Sequence, residues 1–110
     1  MRYPVIARGD ATAVQKRVLS TGPCRLTAVV GVNNGTGVDP LYLQIHETAA
    51  EPAPGAVPKF HCPVDASRAY AFALPNPVDL DACTIVFSTT LSTYTAAAGT
   101  PGTIQALLAP

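Results

Sequence analysis

"CRLTAVVGVN", residues 24–33, carries the decisive pattern. Leu26, Ala28, Val30 and Val32 fall on one side of an extended chain and Cys24 lengthens that side, while Arg25, Thr27 and Val29 fall on the other. Successive side chains of a strand point to opposite faces, so a period of two reads as a β-strand with one face on a core. Outward from it the pattern repeats. "AVQKRVLS" (13–20) alternates loosely. "LYLQIHE" (41–47) sends Leu41, Leu43 and Ile45 inward and Tyr42, Gln44 and His46 outward. "AVPKFHC" (56–62) is shorter, and Pro58, which cannot donate to a ladder, marks an edge strand or a bulge. "SRAYAFALP" (67–75) sets Tyr70, Phe72 and Leu74 on one face and Ala69, Ala71 and Ala73 on the other, where a second surface could come close. "CTIVFSTT" (83–90) is β-branched and apolar enough for a central strand, and "TIQALLA" (103–109) closes the chain as the last one.

The connections agree. Eleven prolines and eight glycines interrupt every window in which an apolar period of 3.6 could build a helix. "NNGTGVDP" (33–40) has the residues of a turn, "NPVDLDA" (76–82) reads as a turn or a single helical turn, and "LSTYTAAAGTPG" (91–102) is a long small-residue connection. Seven or eight short strands separated by turn signals predict an all-β fold, an antiparallel β-sandwich of jelly-roll-like kind. Residues 1–10, with Pro4 and a Gly-Asp pair, read as an N-terminal arm, and 11–110 as one sandwich domain.

Composition narrows the functional classes. Charged residues make up 13% of the chain, about half the usual share of roughly 25%. Hydrophobic residues reach 48%, mostly Ala, Val and Leu, with no Trp. So little charge suggests a surface covered by something else. The net charge is zero and Lys16-Arg17 is the one adjacent basic pair, which argues against a nucleic-acid partner. No apolar run approaches the roughly 18 residues of a membrane span, and the N-terminus lacks an apolar signal region, so synthesis in a cytoplasm without export by the usual route is expected. Cys24, Cys62 and Cys83 are widely spaced, without a C-x-x-C motif, and read as buried free thiols.

Candidate chemistry is thin. His46 and Glu47 are neighbours on one strand and face opposite ways, as do His61 and Cys62. A zinc site from His46, His61 and Cys62 would need one particular strand register. Asp79 and Asp81 flank Leu80 and suit turn capping better than calcium. Arg8-Gly9-Asp10 matches an integrin-type tripeptide, a motif short enough to arise by chance. No phosphate loop is present, and a carbohydrate platform would normally offer Trp. No catalytic residue, cofactor or metal is expected, and the chain reads as a non-enzyme.

The loop "ETAAEPAPGAVPKF" (47–60) is stiffened by three prolines, and its middle, 52–58, is uncharged. Pro52, Pro54 and Pro58 restrict its unfolded conformations, which lowers the entropy lost on ordering it. Two readings stand: a permanent protein–protein contact using Pro52, Pro54 and Val57, or a crossover between two sheets.

From residue 20 to the C-terminus, about four-fifths of the chain, the order of segments resembles that of small structural proteins of tailed bacteriophages and prophages. "LQIHETAAEPAPGAVP" and "VFSTTLSTYTAAAG" are the most specific pieces, with "GPCRLTAVVGVNNGTG" and "YAFALP" in sequence between the strands. The resemblance carries no catalytic signature. It implies a virion component: a capsid decoration (cement) protein on the capsid exterior, binding the major capsid protein, or alternatively a tail-fibre or baseplate adhesion module. A carbohydrate-binding domain of host origin is a third, weaker reading. Shell junctions of threefold symmetry favour a homotrimer. The expected contacts are the arm, through Tyr3, Pro4, Val5 and Ile6, the loop, and the Ala69, Ala71 and Ala73 face.

Overall fold

A computed structural model describes residues 6–10, 12–34, 41–64, 68–99 and 101–109. Among them the regular elements are all strands: β1 (Ile6–Gly9), β2 (Lys16–Ser20), β3 (Cys24–Asn33), β4 (Leu41–His46), β5 (Phe60–Val64), β6 (Arg68–Leu80), β7 (Cys83–Ser88) and β8 (Gln105–Ala109). They form two four-stranded antiparallel sheets, ordered β1-β8-β3-β6 and β2-β7-β4-β5.

This order has a simple origin. β1 pairs with β8, β2 with β7, β3 with β6 and β4 with β5, so the first four strands run against the last four as one long hairpin. Rolling that hairpin over brings β8 against β3 and β7 against β4, and the ribbon divides into two facing sheets. That is the jelly-roll arrangement, an antiparallel β-sandwich of eight strands as the alternation predicted. Leu26, Val29, Leu43, Ile45, Ile85, Phe87, Ile104 and Leu108 fill the space between the sheets. Burying each of these side chains contributes roughly 1.5–3 kcal/mol.

The structure departs from the sequence reading in four places. First, part of the expected arm is a strand: Ile6–Gly9 lies on the sheet edge, Ile6 opposite Leu108 and Gly9 opposite Gln105. Tyr3, Pro4 and Val5 lie outside the described residues. Second, the face assignment of β3 holds only at its start. A register shift between Leu26 and Ala28 adds an irregularity, after which Val29 points into the core and Val30 and Val32 point outward. Third, 76–82 is not simply a turn. Leu74 to Pro77 bulge against the single residue Thr27, and β6 then resumes pairing through Leu80. Fourth, the outward side of β4 is covered, with Gln44 and His46 both buried.

The loop after β4 provides part of that cover. It joins two neighbouring strands of one sheet, so it is not a crossover between sheets. It folds back over β4 and pairs with the segment after β7: Gly55 N–H donates to Tyr94 O and Tyr94 N–H to Ala56 O, each at 2.8 Å. Pro52 and Pro58 are buried beneath this cover, while Pro54 and Val57 remain exposed. Pro52 is thus used inside the chain rather than offered to a partner, and the loop's stiffness first serves the protein's own second layer.

Candidate interaction surface

The outer faces of the two sheets differ sharply. On β4 and β7 the outward residues Gln44, His46, Thr84, Val86 and Ser88 are buried, and all but Val86 are polar. Gln44 Nε2 donates toward the carbonyls of Thr90, Leu91 and Thr93 at 2.8, 3.1 and 2.9 Å, and Thr84 Oγ1 donates to Thr48 O at 2.8 Å. Tyr94 crosses the ring of His46 edge-on at 5.7 Å and donates its hydroxyl to Glu51 at 2.7 Å. Burial and that Glu51 contact raise the Tyr94 hydroxyl to about 12. This polar layer is satisfied within the chain, as buried polar groups must be.

The outer face of the β1-β8-β3-β6 sheet has no such cover among the described residues. Ala69, Ala71 and Ala73 are exposed on β6. Register places Val32 beside Ala69, Val30 beside Ala71 and Ala28 beside Ala73, with Leu107 of β8 flanking Ala28 and Gln105 flanking Val30. Val30, Val32 and Leu107 keep 36%, 37% and 38% of their surface in water and lie next to the exposed alanines. The Arg25–Asp79 ion pair, at 2.8 Å, bounds one end, and the hydrogen bond and positive charge of the guanidinium lower the Asp79 carboxyl. Three strands about 4.8 Å apart and rows spanning about 20 Å give an uncharged platform of roughly 300 Å². Its size is at the lower end of the largest apolar patch on an ordinary monomer, and it is the candidate interaction surface of this sheet. The alanine face expected from the sequence is therefore real and outward. The outward side of Val30 and Val32 was missed because the bulge in β3 reverses its faces, a shift that alternation alone does not announce, and Leu107 was given no face.

The remaining candidates resolve into structural roles. Asp10 accepts from Thr12 N–H at 2.9 Å and from Arg17 Nη2 at 3.0 Å, contacts that lower its carboxyl, so the Arg8-Gly9-Asp10 tripeptide is tied into the β1–β2 side of the sandwich. Lys16 pairs with Glu51 at 3.2 Å across the loop. Asp79 pairs with Arg25, and the N–H of Asp81 donates to Glu47 at 2.8 Å. Register sets His61 opposite Gln44 and Cys62 opposite Leu43, so Cys62 projects to the face opposite His61 and His46 and the three do not converge. Among the described residues no group of three or more His, Cys, Asp or Glu side chains could hold a metal ion, and no helix is long and apolar enough to cross a membrane. Cys24, Cys62 and Cys83 are free thiols; burial raises Cys62 to about 11 and Cys83 to about 12.

Comparison with protein-family models, curated proteins and solved structures found no match for the chain.

Proposed function

We propose that this chain is a non-enzymatic structural protein of a bacteriophage virion, a decoration protein that binds the capsid exterior through the outer face of the β1-β8-β3-β6 sheet. The observation that carries the reading is the platform on which Val30, Val32, Ala69, Ala71, Ala73 and Leu107 stand side by side and exposed. A flat face without bulky anchors gains free energy through area, at about 25 cal/mol per Å², and suits a repetitive, geometrically fixed partner such as a shell of capsid subunits. Support comes also from the jelly-roll strand order, which viral capsid domains share with lectins and cupins, although a fold alone does not assign a function. The reading of the virion among these rests on the resemblance of the sequence to small phage structural proteins.

A protein that binds the assembled shell and not its free subunits stabilises the shell by mass action. Each copy would act as part of a homo-oligomer with the major capsid protein as its partner. Pelleting with purified shells tests the reading. Wild-type protein is expected to sediment with shells and raise their heat-disruption temperature. Val30→Lys and Leu107→Lys, both at exposed positions, are expected to stay folded and stay in the supernatant. Unimpaired sedimentation of both variants would remove the platform from the interface.

A further inference from the structure

Each sheet has two edges, and three of the four are blunted in the ways natural sheets avoid sideways association. β1 is only four residues long. β2 is five residues long, carries Lys16 and Arg17, and breaks register between Val18 and Ser20. β5 is five residues long and contains Pro63. β6 is the exception. It runs 13 residues, and its first seven, 68–74, hold one charge, no proline and no glycine. β3 satisfies one side of this run, and among the described residues no strand satisfies the other.

The core is also incompletely closed along this edge. Tyr70 is buried, but Phe72, Leu74 and Val78, which face inward from the same strand, are only half-buried, as are Leu41 of β4 and Phe60 and Cys62 of β5. The opposite side of the sandwich is closed, where β1 and β2 approach and Arg17 bridges to Asp10. An unpaired backbone edge and half-covered aromatic and aliphatic side chains thus coincide on one strand.

We propose that the β6 edge pairs with β6 of a second copy, antiparallel about a two-fold axis at Ala71. The strand is self-complementary in that register. Ala71 meets its own copy, Ala69 meets Ala73, and Tyr70 meets Phe72 on the inner face. The last pair is of the cross-strand aromatic kind that favours sheet pairing, and Tyr70 and Phe72 already stack at 5.7 Å within one chain. The axis of an antiparallel pair stands perpendicular to the sheet, so both bare platforms face the same way. The result is a continuous eight-stranded sheet whose apolar outer face grows from roughly 300 to roughly 600 Å². An edge about 24 Å long across the thickness of a sandwich buries on the order of 1,000 Å² in total, at the lower limit for a specific interface. Two-fold pairing replaces the threefold expected from shell symmetry, which rested on no feature of this chain. The pairing rests on the edge and not on the virion reading, so the two stand or fall by separate measurements.

Sedimentation equilibrium of the isolated chain at tens of micromolar tests it together with single-cysteine cross-linking. Wild-type protein is expected to run as a dimer. Ala71→Lys sets like charges opposite each other at the axis and is expected to give a monomer with an unchanged circular dichroism spectrum, whose melting temperature, unlike that of wild type, does not depend on protein concentration. Ala71→Cys places two thiols at a Cα separation of about 4.5–5.5 Å, within disulfide reach, and is expected to cross-link under a mild oxidant. Ala28→Cys, one strand in from the edge, is expected not to. A monomeric or trimeric wild type, a dimer that survives Ala71→Lys, or cross-linking at Ala28 in place of Ala71 would each overturn the pairing.

Discussion

His46 Nε2 donates to Gln44 Oε1 at 2.9 Å, two residues apart on the same outward side of β4, with both side chains buried. The direction of this bond is fixed by its surroundings. The Gln44 amide nitrogen must face the three loop carbonyls, because a carbonyl can only accept, and this leaves Oε1 as the acceptor for a proton on His46 Nε2. One amide therefore orients a histidine and fastens the segment after β7 onto the sheet.

Removing that amide should loosen the cover before it loosens the sandwich. Gln44→Ala leaves the buried His46 N–H without its partner and frees the carbonyls of Thr90, Leu91 and Thr93, and a loss of about 1–3 kcal/mol is expected. Urea denaturation measures the loss, and amide exchange at 89–97 should accelerate more than exchange in β3. Equal acceleration in both would place Gln44 in the common core.

Burial lowers the pKa of His46 below its ordinary 6.5. The folded state therefore holds the ring neutral where the unfolded chain would already take up a proton. Stability from this group is present above pH 6.5 and declines as pH falls through that value toward the lowered one. Urea midpoints measured between pH 8 and pH 5 should fall, and His46→Gln should flatten the decline. The lowered carboxyls of Asp10 and Glu51 are exposed at the surface, belong to a more acidic window and contribute little.

The thiols should react in the order of their burial. Cys62 is half-buried, whereas Cys24 and Cys83 are buried, and all three have raised pKa values, so little thiolate is present at neutral pH. Thiol titration of native protein is expected to be slow, with Cys62 first, and to count three thiols after denaturation. A disulfide in freshly prepared protein would contradict this.

Two glycines give a matched pair of tests. A Cβ on Gly102 would run into the backbone carbonyl of Val32, whereas one on Gly22 meets nothing within 4 Å. The collision at Gly102 lies between backbone atoms that hold the connection into β8 against the end of β3, where Thr103 N–H donates to Val32 O at 2.9 Å. Gly102→Ala is expected to cost more than about 2 kcal/mol in urea denaturation, and Gly22→Ala to fall within about 0.5 kcal/mol of wild type.

Period-two alternation made β3, β4, β7 and the start of β6 readable, because one face of each enters a common core. It misled wherever a face depended on something distant in sequence. Val29 and Val30 exchange sides where Thr27 is an extra residue against β8 and Leu74 to Pro77 bulge against it from β6, and the two prolines in 74–77 read as a turn rather than an interruption. Gln44 and His46 look solvent-facing by composition, since only the fold brings residues 47–59 and 89–97 over them. The alanines of β6 were legible as a distinct face. That no layer covers them follows only from the sheet order.

The most direct measurement of the proposed function is a cryo-electron microscopy reconstruction of the virion whose genome encodes this chain. The expected result is density for the sandwich on the outside of the shell, repeated with the lattice, with Val30, Val32, Ala71 and Leu107 against the major capsid protein. Density confined to the tail, or a shell surface without the sandwich, would contradict it.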